Sequence, residues 1–204
     1  MTHDAKTRSR AAFDRQAPVY DSTRCGQHAR WLAPDVLVEV ERNQPDSLLD
    51  VGCGTGALLE AVHARLQKTR LLGVDLSPQM VAHARARLGE RADVMIADAE
   101  ALPLPDGAVD AVVCVDSFHH YPHPDVALAE IRRVLRPEGL LVLAEWRVPA
   151  PLRGMMNSLL HRLPEGDVRV YSRRELCELA GVAGFGRLRW SKAGRRGQLL
   201  VGRR

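Results

Sequence analysis

Short apolar runs alternate with longer segments of mixed polarity between positions 47 and 144. Strands built on these runs are predicted at 47–51, 71–75, 93–97, 109–115 and 140–144. Helices are predicted between them, at about 56–67, from the Ser77-Pro78 pair onward, and at about 125–135. Continuous apolar runs of this length are typical of buried parallel strands. The alternation therefore predicts an α/β fold, with helices on both faces of a parallel sheet.

The N-terminal part of the chain lies outside this alternation. Residues 6–17 are predicted to form a polar helix, which Pro18 ends. A second helix is expected to begin near Pro34, because proline is favoured in a first helical turn. We therefore expect residues 1–45 to form a helical cap, or lid, on the sheet.

The C-terminal part also changes character. Residues 152–163 form a rather apolar helical pattern, and Ser172 is placed to cap a further helix. Two short strands follow at about 186–191 and 197–202, joined by a short turn. Strands joined so closely are expected to pair antiparallel.

The first apolar run leads into glycines at alternate positions, Gly52, Gly54 and Gly56. Glycines make a tight turn and leave the backbone free of side chains. A strand, such a turn and a helix N-terminus together form a site for a nucleotide-like ligand. An ordinary glycine-rich turn is the plainer interpretation, and the rest of the chain has to decide between the two.

The dinucleotide-binding fingerprint of dehydrogenases fits part of this region. Gly52, Gly54 and Ala57 satisfy its spacing, and Asp75 supplies the expected downstream acid. Asp50 argues against it, because a carboxylate before the turn repels a pyrophosphate and suits an ammonium group. Asp98, at the end of the third strand, is placed to accept a hydrogen bond from an adenine amino group. The chain also shows no separate substrate domain.

Several further motifs occur in a fixed order. They lie at 13–21, 49–56, 73–80, 97–103, 118–121 and 134–139. In these segments the sequence resembles the class I S-adenosylmethionine-dependent methyltransferases. More narrowly, it is similar to the small-molecule branch that includes ubiquinone/menaquinone-biosynthesis methyltransferase-like proteins. The resemblance spans about residues 13–147 and extends more loosely over 171–185.

This resemblance implies a Rossmann-like, doubly wound sheet of seven strands in the order 3-2-1-4-5-7-6, with strand 7 antiparallel. It divides a single domain of 204 residues into four parts. These are an N-terminal cap at 1–45, a cofactor-binding core at 46–147, a substrate-side insertion at 148–171, and a closing helix and hairpin at 172–204. The implied cofactor is S-adenosyl-L-methionine.

The resemblance also implies roles for the residues around the glycine turn. The backbone at Gly52, Cys53, Gly54 and Gly56 would approach the methionine part of the cofactor, and Asp50 would support this loop or face the ammonium group. Asp75 would bind the ribose hydroxyls, although it could merely cap the next helix. The remaining implied contacts are Leu76, Met80, Asp98 and Ala99 at the adenine, Asp116 and Ser117 past strand four, and Tyr20 from the lid.

Candidate catalytic groups follow the fourth strand. His119 or His120 could act as a general base, since histidine titrates near neutral pH, or both could only shape the loop. His161 and Tyr171 are weaker candidates. A non-catalytic cofactor-binding protein on the same fold stays open, because none of these residues is unambiguously catalytic.

The acceptor is expected to be a small molecule. The residues from Asp116 to His119 lack the paired prolines of base-amine methyltransferases, and no Pro-Cys pair suggests cytosine methylation. The apolar positions of 148–171 would wall the acceptor site, or could equally be core or half of a homodimer interface. These positions are Met155, Met156, Leu159 and Leu160.

Composition narrows the remaining classes. The four cysteines, at 25, 53, 114 and 177, form no C-x-x-C pair, so neither a metal site nor a disulfide framework is predicted. A net charge of +4 comes with an arginine-rich C-terminus, which favours a charged edge hairpin over a nucleic-acid site. RNA methylation stays an alternative on those arginines. No membrane-length apolar run or signal-like segment is present, so a cytoplasmic location is expected.

Overall fold

The computed structural model describes residues 2–160 and 166–204. The helices are Thr2–Gln16 (α1), Arg24–Asn43 (α2), Ala57–His63 (α3), Pro78–Leu88 (α4), Pro124–Val134 (α5), Ala150–Leu159 (α6) and Arg173–Val182 (α7). The strands are Ser47–Val51 (β1), Arg70–Asp75 (β2), Asp93–Ile96 (β3), Val109–Val115 (β4), Leu135–Trp146 (β5), Gly186–Ala193 (β6) and Gly197–Arg203 (β7). Short 3₁₀ turns lie at Ala17–Ser22, Gly89–Arg91 and Phe118–His120.

The seven strands form one sheet in the order β3-β2-β1-β4-β5-β7-β6, which confirms the predicted topology. β7 pairs antiparallel with both β5 and β6, whereas the other pairs are parallel. Every residue of the central strand β1 is buried. A strand buried on both faces is rich in apolar residues, here Leu48, Leu49 and Val51, which is why the sequence pattern predicted it.

Alternate side chains of the central strands enter two separate cores. Leu49 and Val112 pack on one face with α5 and α7, whereas Leu48 and Val113 pack on the other with α2, α3 and α4. This arrangement follows from the two-residue period of a strand. The carboxyl ends of β1, β2, β3 and β4 meet at one edge of the sheet, where ligands bind in folds of this kind.

The predicted start of the second helix is wrong. α2 begins at Arg24, and Pro34 lies inside the helix. The side chain of Thr23 accepts a hydrogen bond from the backbone N–H of Gly26 at 3.2 Å and so caps the helix. The proline is tolerated because tertiary burial of Leu32 and Val36 holds the helix together around it.

Other predicted boundaries differ less. α3 ends at His63, short of the expected position 67. β5 begins at Leu135, before the expected residue 140, because Leu135 pairs with Val109 ahead of a register shift. The capping box at Ser172 and Glu175 confirms the predicted start of α7. The helix predicted at 152–163 corresponds to α6, which spans Ala150–Leu159. Positions 161–163 of the prediction lie outside the described residues.

Four polar contacts fix the N-terminal segment over the carboxyl edge of the sheet. Lys6 forms an ion pair with Asp98 at 2.7 Å. Asp14 accepts a hydrogen bond from the Ser77 hydroxyl at 2.6 Å. The Thr55 hydroxyl donates to Asp21 at 2.7 Å, and Arg87 also pairs with Asp21. The N-terminal segment is therefore a lid, as predicted. Within the described residues, no helix combines the length and the apolar character that a membrane crossing requires.

Candidate functional site

The glycine turn after β1 brings bare backbone against the loop after β4. Gly52 has a φ of 78°, and its N–H donates to the Val74 carbonyl at 2.8 Å. A Cβ added at Gly52 would overlap the Ser117 hydroxyl and lie 3.1 Å from the Tyr121 hydroxyl oxygen. Only glycine fits this position, for reasons of both conformation and space.

Asp75 connects this turn to the start of α4. Its two carboxylate oxygens accept hydrogen bonds from the backbone N–H groups of Gly54 and Ser77, each at 2.9 Å. Burial raises the pKa of Asp75 to about 6, against the opposing effect of these two N–H groups. The carboxylate also faces a cavity, so its structural contacts leave it able to accept hydrogen bonds from a ligand.

A cavity of about 80 Å³ lies between the glycine turn, the carboxyl ends of the strands and α1; we call it the glycine-loop cavity. The sequence-predicted residues that line it are Tyr20, Gly52, Gly54, Asp75, Leu76, Met80, Asp98, Ala99, Asp116, Ser117 and His120. Ten of the thirteen residues predicted to contact the cofactor thus share one wall with His120. Asp50, Cys53, Gly56 and His119 lie outside this lining.

The residues outside the lining have structural surroundings. Asp50 is only 2% exposed, and burial together with the charge of Asp75 raises its pKa to about 8. Gly56 packs on α4, where an added Cβ would lie 2.8 Å from a Leu88 methyl carbon. Cys53 is buried behind the loop. The burial of Asp50 suits a residue that supports the loop, which is one of the two roles expected for it.

Asp98 already has a cationic neighbour that the sequence did not suggest. Its carboxylate accepts a hydrogen bond from Lys6 at 2.7 Å and one from the Glu100 N–H at 3.0 Å. Burial works to lower the pKa of Lys6, but the hydrogen bonds to Asp98 and Glu100 outweigh it and raise that pKa. Since Lys6 is 92 positions away from Asp98, only the folded lid brings the two together.

A second cavity, of about 1090 Å³, lies on the far side of Tyr20; we call it the outer cavity. It shares four wall residues with the glycine-loop cavity, and these are Phe13, Tyr20, Asp116 and His120. Its other walls come from α2, from the end of β5 and from α6. The two cavities therefore meet at a junction formed by the lid and by the loop after β4.

Asp116 is the most unusual residue of this junction. Its φ of 52° places a non-glycine residue in the left-handed region, a strain that typically accompanies a functional position. One carboxylate oxygen, Oδ2, lies 2.9 Å from Nδ1 of His28 on α2. The other, Oδ1, is buried and has no hydrogen-bond partner among the described residues. His28 carries no sequence signal, because its position depends on the packing of α2.

The structure separates the two histidines that the sequence treated as equivalent. His119 Nδ1 lies 2.7 Å from the buried Glu145 carboxylate. Burial works to lower the pKa of His119, but the charge and hydrogen bond of Glu145 outweigh it and raise that pKa to about 9. Burial and the charge of His119 hold the pKa of His120 well below its usual value. His119 is therefore an imidazolium at neutral pH, which does not suit a general base, whereas His120 is neutral.

Tyr171 and His161 were the weaker catalytic candidates, and the structure does not place Tyr171 at either cavity. Tyr171 is 3% exposed and packs against Phe118, with 5.2 Å between the ring centres. It lines neither cavity. His161 lies outside the described residues. Asp167, which the sequence did not single out, lies 3.1 Å from His120 Nδ1.

The sequence of this chain is similar to those of known methyltransferases. A family profile described as "Methyltransferase domain" covers residues 49–143. A malonyl-[acyl-carrier protein] O-methyltransferase of Geobacter sulfurreducens is 35% identical over 184 residues, covering 86% of this chain and 69% of that protein. A demethylmenaquinone methyltransferase of Thermus thermophilus is 34% identical over 187 residues, covering 87% of this chain and 80% of that protein.

The fold is shared with solved structures at lower identity. The crystal structure of an S-adenosylmethionine-dependent methyltransferase from Aquifex aeolicus superposes with a TM-score of 0.68 at 23% identity. The match covers 85% of this chain and 90% of that one. These comparisons support neither the dehydrogenase interpretation nor a non-catalytic binding protein.

Proposed function

This chain belongs to the class I S-adenosylmethionine-dependent methyltransferases, and we propose that it methylates a small molecule bound in the outer cavity. The observation that carries the proposal is the junction between the two cavities. Asp116 lines both cavities, and its buried Oδ1 has no partner in the described part of the chain. A buried carboxylate oxygen in this position is suited to accept a hydrogen bond from the small molecule that is to be methylated.

The residues of the glycine-loop cavity fit the cofactor. The backbone at Gly54 is open to the cavity, because a Cβ added there would meet only the Tyr20 ring, at 3.8 Å, so a ligand can approach this part of the turn. Asp75 offers a carboxylate at the end of β2 for the ribose hydroxyls, and Met80 offers an apolar wall for the adenine. Asp98 would accept from the adenine amino group, a role that it would share with its contact to Lys6.

The protein's contribution to the reaction is mainly alignment. Bound S-adenosylmethionine supplies an electrophilic methyl group on a sulfonium that is already a good leaving group. Phe13 and Tyr20 separate the two cavities and would hold the acceptor in line, an effect worth several kcal/mol, about 7 or more in the best cases. Asp116 Oδ1 would take the proton of the acceptor, and His28 would hold the carboxylate in place.

His120 is the remaining candidate from the predicted pair. It lines both cavities, and its low pKa keeps the ring neutral at pH 7. Either His120 or Asp116 could therefore receive the proton, whereas the imidazolium of His119 could only stabilise negative charge. Variants of the two residues distinguish these roles, because only the true acceptor of the proton sets the acidic limb of the pH–rate profile.

The predicted domain parts remain proposals that the cavity lining supports. Leu152 and Met156 of the 148–171 insertion line the outer cavity, as a substrate-side wall would. Met155 and Leu159 are more than 40% exposed instead, so they would suit the homodimer alternative better. A cytoplasmic location, a homodimer and the absence of a nucleic-acid partner stay predictions.

Calorimetry and an activity screen test the proposal. We expect the purified protein to bind S-adenosylhomocysteine and not NAD, and Asp75→Ala to abolish this binding. A screen of hydroxyl, carboxyl and amine acceptors with radiolabelled S-adenosylmethionine is expected to find a methylated product. Preferential NAD binding would overturn the cofactor assignment. Tight cofactor binding without methyl transfer to any acceptor would favour a non-catalytic role.

A further inference from the structure

Three arginines line the outer cavity without an ion-pair partner. They are Arg24 on α2, Arg147 after β5 and Arg196 in the turn between β6 and β7. Among the side chains described, those of residues 5–160 and 166–204, no carboxylate lies within 4.0 Å of their guanidinium nitrogens. None of the three lines the glycine-loop cavity. Their positive charge is therefore directed to the part of the site that the acceptor occupies.

Arginines elsewhere in the chain are used differently. Arg187 on β6 pairs with Glu138 at 3.0 Å, and Arg189 pairs with Glu39 at 2.5 Å. These contacts belong to the C-terminal arginine cluster, which the sequence left open between an edge hairpin and a nucleic-acid site. Pairing with carboxylates neutralises these residues and supports the edge-hairpin interpretation.

Two unpaired N–H groups lie at the same place. Trp146 Nε1 and Arg147 Nε are buried, and neither has a hydrogen-bond partner among the described residues. Both residues line the outer cavity at the end of β5. Buried hydrogen-bond donors are almost always satisfied in native proteins. Two adjacent unsatisfied donors on a cavity wall therefore indicate that a bound molecule supplies their hydrogen-bond acceptor.

The other residues that line the outer cavity indicate what kind of molecule would supply this hydrogen-bond acceptor. Trp31, Leu152 and Met156 form apolar walls, while Asp116 and Asp167 are the carboxylates that face the same space. The charge is therefore mixed. The three unpaired arginines outnumber these two carboxylates. An imidazolium at His119 adds to the positive charge, and the rings of His119 and Trp146 are centred 5.9 Å apart.

We propose that the outer cavity selects acceptors with an apolar body and an anionic oxygen group, which Trp146 Nε1–H and the Arg147 guanidinium bind together. Arg24 and Arg196 are exposed residues of the same lining, and their positive charge attracts the anionic group to the cavity. Arginine suits this task because its fork of N–H groups matches a carboxylate or a phosphate. The inference rests on the proposed function, since it names the substrate class of that same site.

Matched ligands test the inference on the full chain saturated with S-adenosylhomocysteine. The probes are 2-naphthoate, 2-naphthyl phosphate and the neutral 2-naphthamide, with binding measured by calorimetry. We expect an anionic probe to bind at least about tenfold more tightly than the amide, as a charge-assisted hydrogen bond implies. The carboxylate and phosphate arms show which anion is preferred. Equal binding of all three probes would overturn the inference.

Two variants locate the anion. Arg147→Gln is expected to remove the preference for the anion and leave the affinity for 2-naphthamide unchanged. Arg195→Gln is the matched control, because Arg195 is exposed and lines neither cavity. If both variants lose the preference equally, the effect is only one of net charge and the inference is wrong.

The indole resonance of Trp146 gives an independent readout. The chain has three tryptophans, and Trp146→Phe identifies the resonance of interest in a proton–nitrogen spectrum. We expect this N–H signal to move downfield with 2-naphthoate and not with 2-naphthamide. No shift with either anion would contradict the role of Trp146. Methylation of neutral acceptors alone would overturn this inference and leave the proposed function intact, whereas failure to bind S-adenosylhomocysteine would overturn the function itself.

Discussion

His28 Nδ1 and Asp116 Oδ2 lie 2.9 Å apart, although the two residues are separated by 88 positions in the chain. His28 belongs to the lid, and Asp116 follows the central strand β4 in a left-handed conformation. The contact joins the lid to the carboxyl edge of the sheet at the junction of the two cavities. It also leaves the second oxygen of Asp116 free to meet an acceptor.

Replacement of Asp116 by asparagine tests this relationship. Asp116→Asn keeps the size of the side chain but removes its charge and its capacity to take a proton. We expect kcat to fall by about 10²–10⁴-fold, the range typical of a lost general base, with little change in the affinity for S-adenosylhomocysteine. His28→Gln is expected to lower kcat less. Equal loss of cofactor affinity and kcat would assign Asp116 to the cofactor instead.

Cofactor affinity is expected to depend on pH through Asp75. Its pKa of about 6 in the folded protein lies above the usual value for aspartate, so the carboxyl group is protonated below that pH. A protonated Asp75 accepts the ribose hydroxyls poorly. The affinity for S-adenosylhomocysteine is therefore expected to rise from pH 5 to about 7 and then level off. Calorimetry over this range, with Asp75→Asn as a pH-independent control, measures the effect.

Alanine at Gly52 is expected to disrupt the site through a steric clash. Gly52 and Gly89 both have a positive φ, of 78° and 56°. A Cβ at Gly52 would overlap the Ser117 hydroxyl, whereas one at Gly89 meets nothing within 4 Å. Gly52→Ala should therefore destabilise the fold by about 1–3 kcal/mol more than Gly89→Ala, and it alone should weaken cofactor binding. Urea unfolding and calorimetry of both variants compare them, and equal effects would refute the clash.

The His119–Glu145 pair is expected to make stability pH-dependent. The folded-state pKa of His119 is about 9, above its value of 6.5 in an unfolded chain. Its contribution is thus fully present below pH 6.5 and is lost as the pH rises through about 9. His119→Gln is expected to cost about 3 kcal/mol of unfolding free energy near pH 6, and little near pH 10.

Urea unfolding at several pH values checks this prediction. His83→Gln is a suitable control, because His83 lies on α4 outside both cavities. The control variant should track the wild-type protein throughout. If the deficit of His119→Gln stays constant from pH 6 to pH 10, His119 is not charged in the folded protein.

Most of the sheet could be predicted because it depends on local patterns. Leu48, Leu49 and Val51 are apolar because β1 is covered on both faces, and Ser77-Pro78 carries its own helix-start signal. The start of α2 could not be predicted in this way. Its cap at Thr23 is an ordinary polar residue in sequence, and the helix passes Pro34 only because buried neighbours outweigh the lost hydrogen bond.

By itself, the sequence determined the strand order, the glycine turn and the acids at the ends of β2 and β3, since these follow from local pattern and from resemblance. Only the tertiary structure decided how the groups around them behave. It buries Asp50 behind the loop, makes His119 an imidazolium through Glu145, and brings His28 to Asp116. Protonation and pairing depend on burial and on neighbours distant in the chain, and folding alone brings such neighbours together.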